Sequence, residues 1–376
     1  MTNTALWNRN FALLVIANTM LYMAVYMLFP LLHHWSMESW GCTELTASAV
    51  TAVFAVALFF PGILNAYLVD TFPRKQVCIR SMLLLLLLNF AYVYLSAVWQ
   101  VFLVRILQGM CFGVTLASTG ATLAIDVTPG NKRDQANLCF AWSGVLGMLI
   151  GVAVGVWYGT SFSFFTWMCV SALLGGVSVL CISMLDVCFR APLDLPLFSL
   201  DRFLLPRVLL PGINMMIVPF ILGALFGAQY QSSFYLCMAG GFLFYLLCRY
   251  CFSRLPDGGW EIGTGLILMA VGLALLQEAE GYQPYLSGSL ISLGVGFSLS
   301  RFLQMMILLP LHCERGTGFH TYQLLWEAGV MFGVLAGRYF FSQGNMYNMA
   351  LTACAVGLIF YYTCIRVYFR KHMLNR

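Results

Sequence analysis

A carboxylate, two arginines and several hydroxyl and amide side chains stand inside long apolar stretches of this chain, and each could do chemistry there. Glu327, in QLLWEAGVMFG, is the one carboxylate well inside such a stretch, seven residues beyond its start at 320. A carboxyl group in that setting can take up and release a proton, so it is a site candidate by default. Arg301, nine residues before Pro310, stands at a depth within one turn of Glu327 and is its best candidate partner. The two either lock neighbouring helices together or serve a substrate or a proton. Arg105, in VFLVRILQG, lies six residues into its own stretch, with Gln108 one turn further on. An arginine at the centre of a bilayer costs roughly 3 kcal/mol or more, so Arg105 must face a wet cavity or a partner unless it snorkels to the interface. Asn18, Tyr22 and Tyr26 recur every four residues and share one helical face. That face can line a pocket for an amphipathic or aromatic ligand, or hydrogen-bond to a neighbouring helix. The last group is NAYLVDTFPRKQV, where Asp70, Arg74 and Lys75 are crowded between apolar runs, with Arg315 in a second loop, HCERGTGF.

Membrane-spanning helices must carry these residues. Of 376 residues, 61% are hydrophobic, 15% aromatic and only 9% charged, where a soluble domain has about a quarter charged. Such a chain cannot cover its core with polar surface, so a multi-pass membrane protein is expected. Apolar windows of about 20 residues, enough to cross ~30 Å of hydrocarbon, number twelve. They fall at 10-32, 45-69, 77-97, 99-125, 136-159, 162-185, 206-229, 231-252, 260-277, 282-310, 320-342 and 345-368. Pro30, Pro61, Pro211, Pro219 and Pro310 lie within or at the ends of these windows, where membrane helices tolerate kinks. The opening MTNTALWNRN lacks the basic region and cleavage site of a signal peptide, so the first window reads as a retained helix.

Charge then sets the sidedness. Sixteen of the nineteen Lys and Arg residues fall on one side, in alternate loops or at the window ends beside them, from Arg9 through Arg74, Lys75, Arg190, Arg254 and Arg315 to Arg376. Arg105, Arg301 and Arg338 are within helices, and the opposite loops hold Glu38, Glu44, Glu278 and Glu280 with no basic residue. The positive-inside rule places both termini in the cytoplasm, and the clean alternation favours an even number of spans. The net charge of +5 is spread over short loops, so no nucleic-acid patch is expected. Thirteen cysteines lie mostly in apolar runs and give no disulfide framework, and Cys248 and Cys251 lack a second ligand pair for zinc. No cofactor is expected. The break at 186-206, DVCFRAPLDLPLFSLDRFLLP, divides the chain into an N-terminal six-helix half, 1-186, a cytoplasmic central loop, 187-205, and a C-terminal six-helix half, 206-376. Two such halves suit a transporter whose site lies at their interface and opens alternately to each side.

Three motifs carry a resemblance. The loop NAYLVDTFPRKQV resembles the signature loop of the major facilitator superfamily, Gly-x-Leu-x-Asp-Arg-x-Gly-Arg-Lys, through Leu68, Asp70, Arg74 and Lys75. Ala66, Thr71 and Pro73 stand where the family has Gly, Arg and Gly. Arg105, Gln108 and Gly109 match the family's Arg-x-x-Gln-Gly. Pro310, Arg315, Gly316, Thr317 and Glu327 fit the stretch between its tenth and eleventh helices. Gly147, Gly151, Gly155 and Gly159 make a small-residue stripe in the fifth window, repeated in the eleventh by Gly329, Gly333 and Gly337. Such stripes let helices pack closely in lipid. The fifth window resembles the Gly-rich exporter signature without its Gly-Pro.

The resemblance implies the all-α fold of that superfamily, twelve transmembrane helices in two six-helix halves, working by alternating access. It implies a part in proton movement for Arg105. It also implies that Asp70 contacts the start of helix 11 near Arg315 to Gly318, as a latch on the cytoplasmic gate. The first window, LWNRNFALLVIANTMLYMAVYMLFPLL, looks most like the bacterial drug and sugar-efflux branch. The expected activity is therefore export of small amphipathic molecules in exchange for protons, with Glu327 or a group near Arg105 titrating. Without a Walker motif, ATP is not the driver. Uptake by symport and uncoupled facilitation are the alternatives. A lipid-handling membrane enzyme or a sensor is the rival class, but an enzyme should cluster polar catalytic residues that here stand apart. The expected setting is a bacterial inner membrane, and the expected state a monomer in the lipid bilayer.

Overall fold

Three prolines decide where the long helices break. Proline lacks an amide hydrogen and its ring crowds the carbonyl four residues earlier, so a helix bends there. In the computed structural model, which describes residues 5–159, 162–187, 194–251, 259–278 and 281–374, a helix ends four residues before each of Pro30, Pro61 and Pro219, at Tyr26, Ala57 and Met215. The long helical segments are α1 (Arg9–Trp40), α2 (Glu44–Thr71), α3 (Arg74–Tyr94), α4 (Val98–Asp126), α5 (Gly130–Trp157) and α6 (Phe164–Ser183). After the linker come α7 (Pro206–Met215 with Ile217–Ala228, bent by 42°), α8 (Ser232–Cys251), α9 (Glu261–Gln277), α10 (Gln283–Leu308), α11 (His312–Ser342) and α12 (Met346–Met373). Among the described residues there is no strand.

Ten of these segments are long and apolar enough to cross a membrane, and α7 makes an eleventh when its two pieces count as one. The window expected at 260-277 corresponds to α9, an apolar helix of 17 residues that falls short of the same length. Two windows were also too short. The helix read at 10-32 runs on to Trp40, where Gly41 ends it at a positive φ of 58°. The helix read from 320 starts eight residues earlier, at His312. Hydropathy marks the length that faces lipid, whereas helical hydrogen bonding continues through polar turns beyond it. Arg190, Arg254, Arg376 and Glu280, used above for sidedness, and part of the central loop lie outside the described residues.

Both glycine stripes are close-packing seams. The α5 stripe lies on α1: a Cβ at Gly147, Gly151 or Gly155 would come within 2.4, 2.8 and 2.3 Å of the carbonyl oxygens of Thr19, Met23 and Met27. The α11 stripe lies on α7 in the same manner, Gly333 against the Phe220 carbonyl and Gly337 against that of Ala224. Each seam sits beside a proline break in its partner helix, Pro30 in α1 and Pro219 in α7. Contacts of α2 with α11 and of α5 with α8 join the segments before the linker to those after it. Ser232 Oγ of α8 donates to the Ala153 carbonyl of α5 at 2.8 Å, and Trp142 Nε1 of α5 donates to Ser300 Oγ of α10 at 2.9 Å.

Candidate functional site

The break that Pro30 causes in α1 falls at Tyr26, and Tyr26 is the partner of Glu327. Its hydroxyl donates to Oε2 of the carboxylate, joining α1 to α11. Glu327 is fully buried, and its other oxygen, Oε1, has no hydrogen-bond partner among the described residues. Tyr22 stacks on Tyr26 with centroids 5.9 Å apart and planes 4° from parallel, as the four-residue spacing required. Phe29, at 4.7 Å, and Phe226, at 6.5 Å, close the other sides of the Tyr26 ring. Asn18, two turns below, donates to the Phe140 carbonyl and to Ser143 Oγ at 2.9 and 2.8 Å, fixing α1 to α5, while its Oδ1 stays unpartnered. Asn18, Tyr22, Tyr322, Gln323 and Trp326 line a small space of about 20 Å³, room for about one water. Glu327 and Tyr26 do not line this polar-aromatic chamber themselves; they adjoin it through Trp326 and Tyr22. The carboxyl group can hold a proton, and the chamber can hold a ligand only once the helices part.

Arg301 is not the counter-ion of Glu327. Its Nη1 donates to Gln304 at 3.2 Å and its guanidinium lies over Phe369 of α12 at 5.9 Å. The expected pair fails for a geometric reason. Equal depth fixes position along the axis, but each residue turns the helix by about 100°, and Arg301 turns to Phe369 of α12. An enclosed carboxylate bonded to the Tyr26 hydroxyl, with the Tyr22 hydroxyl beside it and no ion-pair partner among the described residues, costs several kcal/mol to hold ionised, so the charge state of Glu327 bears directly on how tightly α1 and α11 close.

Arg105 is buried rather than snorkelling. Its guanidinium lies 4.5 Å from the Phe54 ring centre and 5.0 Å from that of Phe29. Gly109, one turn on, brings α4 against α2: a Cβ there would stand 2.3 Å from the Phe54 carbonyl. That approach lets Nε and Nη2 reach the carbonyls of Val50 and Thr51 at 3.4 Å each. Nη1 donates to Gln108 Oε1 at 3.1 Å, which also accepts from Tyr92 at 2.7 Å. Gln108 Nε2 continues to Asn89, Asn89 to Ser171, and Ser171 to the Ala24 carbonyl. Arg105 and Gln108 thus tie α1, α2, α3, α4 and α6 together behind Phe29 and Phe54, which screen the guanidinium from Tyr26. Asn89 and Ser171 were missed from sequence, although a lone asparagine closing LLLLLLN was a usable signal.

The expected latch is built differently. Asp70 does not touch the start of α11. Its Oδ1 accepts from Arg74 at 2.9 Å and its Oδ2 pairs with Arg202 of the linker at 2.6 Å. Arg74 reaches across with Nη1, which is shared between both oxygens of Asp126 at 2.9 and 2.8 Å. Arg315 instead faces Asp134 at 3.7 Å, and Lys75 donates to the Leu185 carbonyl at 2.7 Å. The linker bridges what Asp70 was expected to span directly. Ser199 N donates to the Ile63 carbonyl at 2.9 Å, Phe203 packs edge-on against Phe59, and Leu205 N donates to Thr321 Oγ1 of α11 at 3.0 Å. Arg202 adopts a positive φ of 60° to make its turn. Asp126, Asp134 and Arg202 were not picked out as site residues, although in so uncharged a chain each was conspicuous. Asp70→Asn removes the negative charge and one of the two oxygens that the two arginines share, and we expect a loss of about 2 kcal/mol, read as a lower unfolding temperature together with faster proteolysis of the 194–205 segment.

A sequence model described as Major Facilitator Superfamily matches residues 14–334. No curated protein sequence matches the chain. Among solved structures, the human organic anion transporter MFSD10 (TETRAN) superposes with a TM-score of 0.70 at 14% identity, covering 94% of this chain and 98% of that one. At that identity the likeness is one of fold.

Proposed function

This chain belongs to the major facilitator superfamily of transporters, and from that premise we propose a proton-coupled secondary exporter of small amphipathic molecules with Glu327 as the proton carrier. The observation that carries the reading is the Glu327 carboxyl group, fully buried where α11 meets α1, held on one oxygen by Tyr26 and open on the other. A change in its charge changes the stability of that contact, which is what a coupling group must do to bias one conformation over another. Substrate contact falls to the Asn18 amide and to Tyr22, Tyr26, Tyr322 and Trp326, whose rings suit an aromatic or amphipathic molecule. An apolar cleft of about 620 Å³ at the α2–α11 seam, lined by Ala52, Val56 and Phe332 among others, fits a substrate that partitions into lipid.

In this reading α7 crosses as one bent span and α9 as a short one, giving twelve spans in halves 1–186 and 206–376 joined by the linker 187–205. The basic loops lie in the cytoplasm with both termini. The first helix, by its resemblance to the bacterial efflux branch, supports a plasma-membrane location, and the protein works as a monomer.

Flux into liposomes decides the matter. Purified protein is tested with ethidium, an aromatic cation, and with fluorescein, an organic anion. The anion is included because the superposed structure is that of an organic anion transporter and Arg105 is a buried cation here. The expected result is ethidium flux that rises about tenfold or more under an imposed pH gradient, a bias of roughly 1.4 kcal/mol. Flux of either dye that ignores the gradient would replace the exporter with a facilitator. Dye and protons moving in the same direction would make it a symporter. No flux of either would refute transport of amphipathic dyes.

A further inference from the structure

Glu327 is the innermost member of a polar file along α11 that no sequence motif marks. His320, Gln323 and Glu327 follow one another at spacings of three and four residues, so they share one face of the helix over about 10 Å of rise. All three are buried, at 1%, 4% and 0% exposure. Each has a polar atom without a hydrogen-bond partner among the described residues: Nδ1 of His320, Oε1 of Gln323 and Oε1 of Glu327. Buried polar atoms are paired in the great majority of cases, and several unpaired in one line mark a water path or a functional strain. The facing wall continues the pattern. Asn65 of α2 donates from Nδ2 to His320 Nε2 at 3.1 Å, and its own Oδ1 is unpartnered. Across from Gln323, α4 is locally widened over Thr119–Leu123, a distortion frequent at functional sites. Gly120 in that turn leaves room for the amide, since a Cβ there would stand 2.8 Å from both its terminal atoms.

We propose that His320 relays protons between the face of the protein that carries the basic loops and Glu327, along a file of water held by Gln323 and Asn65. The inference rests on Glu327 being the proton carrier. Its chemistry follows from the hydrogen bond already in place. Nε2 accepts from Asn65, so the neutral ring carries its proton on Nδ1. A proton arriving from water binds Nε2, and the Asn65 amide turns over so that Oδ1, now idle, accepts from the new N–H. The cation then releases its Nδ1 proton to the file, and water passes one on to Oε1 of Glu327. One N–H bond forms, one breaks, and one carboxyl O–H forms. Arg202 of the linker, paired with Asp70 at 2.6 Å, belongs to the latch beside this stretch of α11. Thr321, the residue after His320, holds the linker through Leu205.

The test needs no substrate. Full-length protein in lipid nanodiscs is moved rapidly from light to heavy water at acidic pH, and the infrared band of the protonated Glu327 carboxyl, identified by its loss in Glu327→Gln, is followed as it exchanges. His320→Gln, which keeps an amide for Asn65, and His320→Leu are each expected to slow the exchange by about a hundredfold, the low end of a positioned proton-transfer group. His34→Gln, at the exposed outer end, should leave it unchanged. Exchange at the wild-type rate in a folded His320→Gln overturns the relay while the carrier stands. Absence of any Glu327-dependent protonated band in the wild-type protein overturns the carrier, and the relay with it.

Discussion

Glu327→Gln is expected to abolish pH-gradient-driven transport of whichever dye the wild-type protein moves, while leaving exchange in the absence of a gradient. The amide has the shape of the protonated acid, and its oxygen can still accept from the Tyr26 hydroxyl, so the α1–α11 contact survives. What is lost is the ability to change charge. The gradient can then no longer bias one conformation, and the stimulation of about tenfold falls to none. The decisive comparison is the ratio of flux with and without the gradient in variant and wild type. An unchanged ratio would remove Glu327 from the coupling mechanism. Tyr26→Phe provides a second reading of the same contact, because it strands a buried acceptor at a cost of about 1–3 kcal/mol without touching the titrating group. It should lower stability and shift the gradient dependence rather than abolish it.

The second large effect is in packing. Gly333→Ala is expected to destabilise the protein by about 3 kcal/mol, at the upper end of the range for overpacking. A methyl group there would lie 2.0 Å from the Phe220 carbonyl oxygen of α7. Backbone cannot rotate aside as a side chain can, so α7 and α11 must separate. Because Glu327 is less than two turns away on α11, the chamber opens with them. Gly240→Ala is the control. No atom lies within 4 Å of a Cβ at that helical position, and the change should be neutral or stabilising by about 0.5–1 kcal/mol. Unfolding temperatures in detergent measure both. Equal values for the two variants would show that the seam yields more readily than its geometry indicates.

How far the site was legible depended on whether a single residue type was informative by itself. Asp70, Arg74, Arg105 and Glu327 stood out because charge is scarce among apolar windows and costly in lipid. Arg105 and Gln108 do belong to one network, and Asn18, Tyr22 and Tyr26 do share a face, because helical spacing dictates both. Pairing across helices was not legible. Arg301 and Glu327 agree in depth but not in rotation, so depth misassigned the partner that Tyr26 supplies. Asp70 was matched to the wrong segment because the linker, whose Arg202 fills that role, gave no pattern beyond its charge. His320 and Gln323 escaped because polar residues on one face matter only when that face is known to be buried.

By itself, then, the sequence determined that this is a multi-pass helical membrane protein, where its apolar spans lie and which helices carry small-residue seams. Those properties follow from local composition and from the 3.6-residue period, which any stretch of chain expresses on its own. Only the tertiary structure decided that Tyr26 meets Glu327, that Phe29 and Phe54 wall off Arg105, and that the linker couples Asp70 to α11. Each of these depends on the rotation and crossing of helices distant in the chain. Packing of the whole sets those relations, and no stretch of residues encodes them alone.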